Sequence, residues 1–166
     1  TLVPEKREEV STEGGLDLEN YFDKTQRAIK ELKSCEIDIS LFIDPNKEMI
    51  KLSYELGADM IELHTGAYAN IYAMLYGSLA HSHHKIEALE LPRAELKSKL
   101  HSALEELKSA AIYAKSLGLQ VAAGHGLNYQ NVKDIAEIEE IIELNIGQSI
   151  IARSVYTGLA EAIKEM

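Results

Sequence analysis

Cysteine is nearly missing from this 166-residue sequence. Its single thiol, Cys35, has no partner within the chain, which excludes an intramolecular disulfide framework. Long apolar runs are missing too. No stretch of eighteen or more apolar residues occurs and no charged-then-apolar leader opens the sequence, so a reducing cytoplasm without membrane contact is the expected setting. Basic residues are scarce, 17 against 27 acidic ones. The resulting formal charge of -10 argues against a nucleic-acid or anionic-membrane surface, because binding phosphate backbones needs clustered Lys and Arg. An anionic ligand would have to be held locally, by backbone N–H groups, helix N-termini and a few placed cations. Several nucleotide and nucleophile signatures are absent as well: no Walker loop, GxGxxG fingerprint, nucleophile elbow or CxxC pair occurs.

What is present, 46% hydrophobic and 27% charged residues, is the balance of a globular domain. Strand and helix signals alternate along it. Residues 1–3 read as the tail of a strand, as if the chain were entered in mid-fold, and a polar loop follows over 4–17. A helix is expected over about 19–34, with Phe22, Ala28, Ile29 and Leu32 on its apolar face. A β-branched run over 37–43 ends at Asp44-Pro45, which reads as an N-cap and first helical position, and that helix stops at Gly57. A strand over 60–63 comes next. After it lies an irregular connection expected to hold helices over about 68–79 and 92–117, the second marked by Leu96, Leu100, Leu104, Leu107, Ala111 and Ala114. Its Glu- and Lys-rich stretch from 95 to 108 reads as a solvated face. A strand over 119–123, a short helix over 129–136, a strand over 141–144 and a helical region over 147–166, broken near Gly158, complete the pattern.

Helices between consecutive strands imply a parallel α/β sheet. A doubly wound sheet and a barrel both fit. Either fold collects ligands at strand C-termini, and there stand Asp44, Glu62-Leu63-His64, Gly124-His125-Gly126 and Asn145-Ile146-Gly147. Glycines just past two neighbouring strands either make tight turns or let backbone amides approach an anion, the second leading straight into a helix. His125, between two glycines, is suited to pass a proton near neutral pH, or else only to hydrogen-bond a phosphate. Glu62 lies within an apolar strand, where a carboxylate either serves the functional end or pairs with a neighbouring cation. His64 could share its face or be structural. The loop over 4–17 is either an ordinary solvated loop or a lid, with Gly14-Gly15 as hinge and Ser11 or Thr12 reaching a ligand. His81, His83 and His84 lack Cys, Asp or Glu at ligand spacing, so no metal site is expected there.

Taken together, Leu2-Val3-Pro4-Glu5-Lys6-Arg7, Thr12-Glu13-Gly14-Gly15-Leu16-Asp17, Ser40-Leu41-Phe42-Ile43-Asp44, Ile61-Glu62-Leu63-His64-Thr65-Gly66, Ala123-Gly124-His125-Gly126-Leu127 and Glu143-Leu144-Asn145-Ile146-Gly147 resemble the signature stretches of the pyridoxine 5'-phosphate synthase family, in family order. The resemblance implies a (β/α)8 TIM barrel. Residues 1–166 would form its C-terminal portion, from the end of strand four to the last helix, with a helical insertion around 67–92. Roughly ninety further N-terminal residues are expected, given a usual barrel length of about 250. The implied reaction joins 1-deoxy-D-xylulose 5-phosphate to 3-amino-2-oxopropyl phosphate, releasing phosphate and water, without metal or organic cofactor. By position, the resemblance implies His125 as proton donor and Glu62 as the carboxylate stabilising a transition state. It implies Gly126 and Gly147 as backbone contacts to the aminoketone phosphate, and Ser11 as a contact to the deoxyxylulose phosphate. Gln148 stands where the family commonly has His, so that contact keeps a hydrogen bond and loses a charge. The family's other catalytic residues belong to earlier strands, so this segment alone is expected to be inactive and unstable as a monomer. A homo-octamer is the implied assembly and small phosphorylated compounds the implied partners. The alternatives are another phosphate-binding barrel enzyme, an isomerase or an aldolase, or a non-catalytic barrel.

Overall fold

The computed structural model describes residues 1–4 and 14–166. Four strands, β1 (Ser40–Ile43), β2 (Met60–His64), β3 (Gln120–Gly124) and β4 (Glu143–Asn145), form one parallel sheet in the order β1-β2-β3-β4. Leu2 adds a bridge beside β1, parallel to Leu41. Seven α-helices accompany them among the described residues: α1 (Leu18–Lys33), α2 (Lys47–Glu55), α3 (Gly66–Tyr76), α4 (Arg93–Ser116), α5 (Val132–Ala136), α6 (Gln148–Thr157) and α7 (Leu159–Glu165). Sequence and structure therefore agree on a parallel α/β fold.

The register explains how the two faces of the sheet differ. Successive side chains alternate across a strand, and pairing aligns Leu41 with Ile61, Ile61 with Val121, and Leu63 with Ala123 and Ile43. These six side chains are buried in one core with Ile29 of α1, Ile50 of α2, Leu107 and Ala111 of α4 and Ile135 of α5. The alternate residues, Phe42, Glu62, Ala122 and Glu143, align on the other face, as do His64, Gly124 and Asn145. Parallel sheets are usually covered on both faces, and this second face carries two carboxylates, an imidazole and an amide where the first is wholly apolar.

Most element limits match the sequence pattern; the departures have identifiable causes. Asp44 and Pro45 do not start α2. The Asp44 carboxylate is taken by His64 and Gly15, and Asn46 caps the helix instead, its side chain accepting from Met49 N at 2.8 Å. The short helix expected over 129–136 begins only at Val132. Asn128 and Asn131 first build a turn, with Asn131 Oδ1 accepting from Asn128 N and Asn128 Oδ1 accepting from Gln130 N. β1 is shorter than the apolar run, since Glu36 sits at φ 58 and the Ile39 amide is bound by Asp59. The helix break at Gly158 is as expected, at φ 80. The α4 stripe faces the core or packs beside it, while Glu95, Lys97, Lys99, Glu105, Glu106 and Lys108 are exposed.

Within residues 67–92, α3 packs on α4 and the rest folds into short 3-10 turns at Leu79–His81 and Glu87–Leu89. His81, His83 and His84 are all exposed there, and among the described residues no three His, Cys, Asp or Glu side chains converge as a metal site.

Candidate active site

The C-terminal ends of the strands open into a cavity of about 570 Å³. Phe42, Glu62, His125, Gly126, Asn145, Gly147 and Gln148 are among its lining residues, with Leu127, Asn128 and Ser149 continuing the wall. The tertiary fold therefore brings together five of the residues singled out in the sequence: Glu62, His125, Gly126, Gly147 and Gln148. The expectation for Ser11, with Thr12 behind it, falls on residues outside the described ones. Among the described lining residues there is neither Lys nor Arg.

Glu62 projects from the middle of β2 onto the cavity face. Burial pushes its carboxyl above the usual carboxylate range and nearby Glu143 adds to the rise, while a hydrogen bond from the Asn145 side chain opposes it. Its position depends on Gly124 of the adjacent strand, because a methyl group there would meet Glu62 Oε1 at 2.5 Å and Asn145 O at 3.0 Å. Asn145 was not singled out for a role by sequence reasoning. Its place one strand end beyond Gly124 is the signal that could have found it.

His125 follows directly on β3. Its backbone has φ 81, a left-handed conformation uncommon for a residue with a side chain. The fold secures this turn from beneath. Thr65 Oγ1 lies 2.7 Å from Gly124 O and 2.6 Å from His125 O, and Thr65 N donates to Gly124 O at 2.9 Å. Asn131 Nδ2 donates to the Gly126 carbonyl at 3.1 Å. Gly126 itself has φ 77 and packs so near Ala69 that a Cβ would strike it.

The fourth wall is the start of α6. Gly147 occupies the N-cap without a side-chain cap, so the first-turn amides of this ten-residue helix are not answered by a capping group. A Cβ added to Gly147 would meet nothing within 4 Å, so the space beside it is open. Ser149 is turned to the opposite duty, its hydroxyl donating to Leu127 O at 3.0 Å. Open amides at a helix start suit an anion electrostatically and geometrically.

His64 stands beside His125, their ring centroids 5.0 Å apart. Its Nδ1 is 3.0 Å from Asp44 Oδ1, and that hydrogen bond holds the Asp44 carboxyl below its ordinary range. Gly15, one half of the glycine pair read as a hinge, is a fixed point at its described end. Its amide donates to Asp44 Oδ1 at 3.2 Å, and its backbone packs against Ile43 and Asp44 with no room for a side chain.

A family model described as pyridoxal phosphate biosynthesis protein PdxJ matches residues 1–166. The chain belongs to the PdxJ family. Its sequence is 60% identical over 166 residues to the pyridoxine 5'-phosphate synthase of Aliarcobacter butzleri, 61% to that of Nitratiruptor sp. and 58% to that of Campylobacter lari. Each alignment covers all of this chain and 64%, 63% and 64% of the relative, respectively. The chain thus spans somewhat under two thirds of the length of these curated PdxJ relatives.

Proposed function

We propose that the protein carrying this chain is a pyridoxine 5'-phosphate synthase, condensing 1-deoxy-D-xylulose 5-phosphate with 3-amino-2-oxopropyl phosphate to pyridoxine 5'-phosphate, phosphate and water. The observation that carries this reading is the convergence of Glu62, His125, Gly126, Gly147 and Gln148 on one cavity at the strand C-termini. Each has a physical task in the reaction. The amides of Gly126 and Gly147 and the start of α6 hold a substrate phosphate, and among the described lining residues no lysine or arginine shares that task. Gln148 adds an uncharged hydrogen-bond donor. His125 gives a proton to a leaving oxygen. Glu62, ionised once a cationic intermediate is beside it, stabilises that positive charge in a partly buried setting where the attraction is stronger than in water. Ser11, with Thr12 as its fallback, contacts the second phosphate.

The proposed architecture is a (β/α)8 barrel in which residues 1–166 run from the end of strand four to the last helix, as one domain with a helical segment around 67–92. Two features support it. The four described strands follow one another in space in chain order, with no reversal among them of the kind at which a doubly wound sheet binds its ligand. The helices that share the core contact the apolar face of the sheet, while Glu62 and Phe42 line a cavity from the other, as barrel-interior residues do. The proposal extends to a cytoplasmic homo-octamer. No helix among the described residues is long and apolar enough to cross a membrane. A Schiff-base aldolase is disfavoured because none of the four described strands carries a lysine.

The test is to supply the full-length protein with both phosphorylated substrates and follow pyridoxine 5'-phosphate and inorganic phosphate. Equimolar appearance of the two is expected. Folded, assembled protein that forms neither product would remove the proposal.

A further inference from the structure

His64 is a buried titratable side chain beside the cavity that the proposed chemistry leaves unused. It pairs in register with Gly124, on the same face of the sheet as Glu62, yet only 9% of its side chain is exposed. An ionised carboxylate can only accept hydrogen bonds, so the contact with Asp44 places a proton on Nδ1 and fixes how the ring is turned. Nε2 is buried and has no hydrogen-bond partner among the described residues, and Gly66 packs so tightly on the ring that a methyl there would strike it. The ring edge then meets two aromatic neighbours, Phe42 at 5.1 Å and His125 at 5.0 Å between centroids. The next residue, Thr65, holds the carbonyls of Gly124 and His125.

We propose that Asp44, His64 and Thr65 form a positioning unit for His125, with Thr65 fixing its left-handed backbone and the Asp44-oriented His64 ring fixing its imidazole at the cavity wall. The inference rests on His125 being the proton donor and deepens that reading. Backbone and ring are secured by neighbouring residues of a single chain segment, so one strand end determines both the place and the angle of the donor. Because Gly15 donates to the same Asp44 oxygen, the return point of the loop ahead of α1 is tied to this arrangement. Such a unit would act on turnover through geometry, since a displacement of about 1 Å at a reacting group can cost about 100-fold in rate.

The experiment uses the full-length protein with His64→Leu, His64→Asn, Asp44→Asn and the His64→Leu/Asp44→Asn pair. For His64→Leu, kcat is expected to fall about 30- to 100-fold while KM and the Kd for inorganic phosphate stay within about 2-fold. His64→Asn, whose amide can replace the Nδ1 donor, should recover part of the loss. Asp44→Asn should fall less, and the double variant should be no slower than His64→Leu alone, because both remove one interaction. A folded His64→Leu protein with unchanged kcat, or losses that multiply in the double variant, would overturn the unit. Should His64→Leu not fold, Asp44→Asn carries the test, its side chain being 50% exposed in the native protein. A second readout separates this inference from the enzymatic one. In substrate-free protein with 15N-labelled histidine, the imidazole resonances of His125 should move in His64→Leu and in Asp44→Asn. Unmoved resonances overturn the positioning unit even if the wild type makes product. Resonances that move in the variants, with a wild type that makes no product, support the unit and remove the enzymatic reading.

Discussion

Asp44 and Asp59 stand at opposite ends of the β1–β2 pair and make the same two kinds of bond, with different consequences. At the N-terminal end, Asp59 accepts from Ile39 N at 2.8 Å and from Lys33 Nζ at 2.8 Å, the side chains of that ion pair being 39% and 41% exposed. At the C-terminal end, Asp44 accepts from Gly15 N and from the imidazole of the buried His64. Both carboxyls are held below the ordinary range, chiefly by the basic partner. The lower pair ties α1 to the start of the sheet. The upper pair ends on a ring that contacts His125. One residue type with one bonding pattern thus ties a helix to the sheet at one end and orients a ring beside a cavity-lining histidine at the other, and only the neighbours distinguish them.

The comparison can be broken at three points. The largest effect is expected from His125→Asn, which should slow turnover about 1,000-fold through loss of the proton donor while inorganic phosphate binding changes by a modest factor. Calorimetric titration with phosphate beside steady-state assays measures both, and undiminished turnover would place the donor elsewhere. Next comes Glu62→Gln, expected to lower kcat about 100-fold by removing the stabilising charge. The same variant has a stability signature of defined sign. Burial raises the Glu62 carboxyl in the folded state, so the unfolded chain releases this proton first as pH rises. The wild type should therefore lose stability relative to Glu62→Gln as pH climbs through and above the ordinary carboxylate range, with the two converging in acid. Urea melts from pH 4 to pH 8 would show it, and a constant gap would mean the carboxylate is not penalised by burial. The smallest effect belongs to the opposite end: Lys33→Ala should cost about 0.5 kcal/mol, as exposed ion pairs do, and leave kcat unchanged. A loss of turnover there would erase the functional difference between the two ends.

Much of this arrangement was legible in the chain. Alternation of β-branched runs with helical stripes gave the parallel α/β order, and Gly57 and Gly158, both at positive φ, marked a helix end and a helix break. The glycines around His125 and the lone carboxylate among Met60, Ile61 and Leu63 drew attention to the residues that later shared a cavity. Other assignments failed because side chains answered to distant partners. Asp44 followed by Pro45 has the local form of a helix start, but a bond to a residue twenty positions on outweighed it. Asn145 passed as a strand-end residue until its contact with Glu62 came into view.

The sequence by itself determined the period of its elements, the excess of negative charge and the chemical groups at each strand end, because these depend on residue type and on neighbours a few positions away. Which of those groups meet was decided by the tertiary structure alone. Strand register sets Glu62 beside Ala122 and Gly124 between His64 and Asn145, which lets the Asn145 side chain reach Glu62, and the turn of the chain after β3 carries His125 against His64. Such contacts join residues tens of positions apart, and local pattern carries no information about the register that creates them.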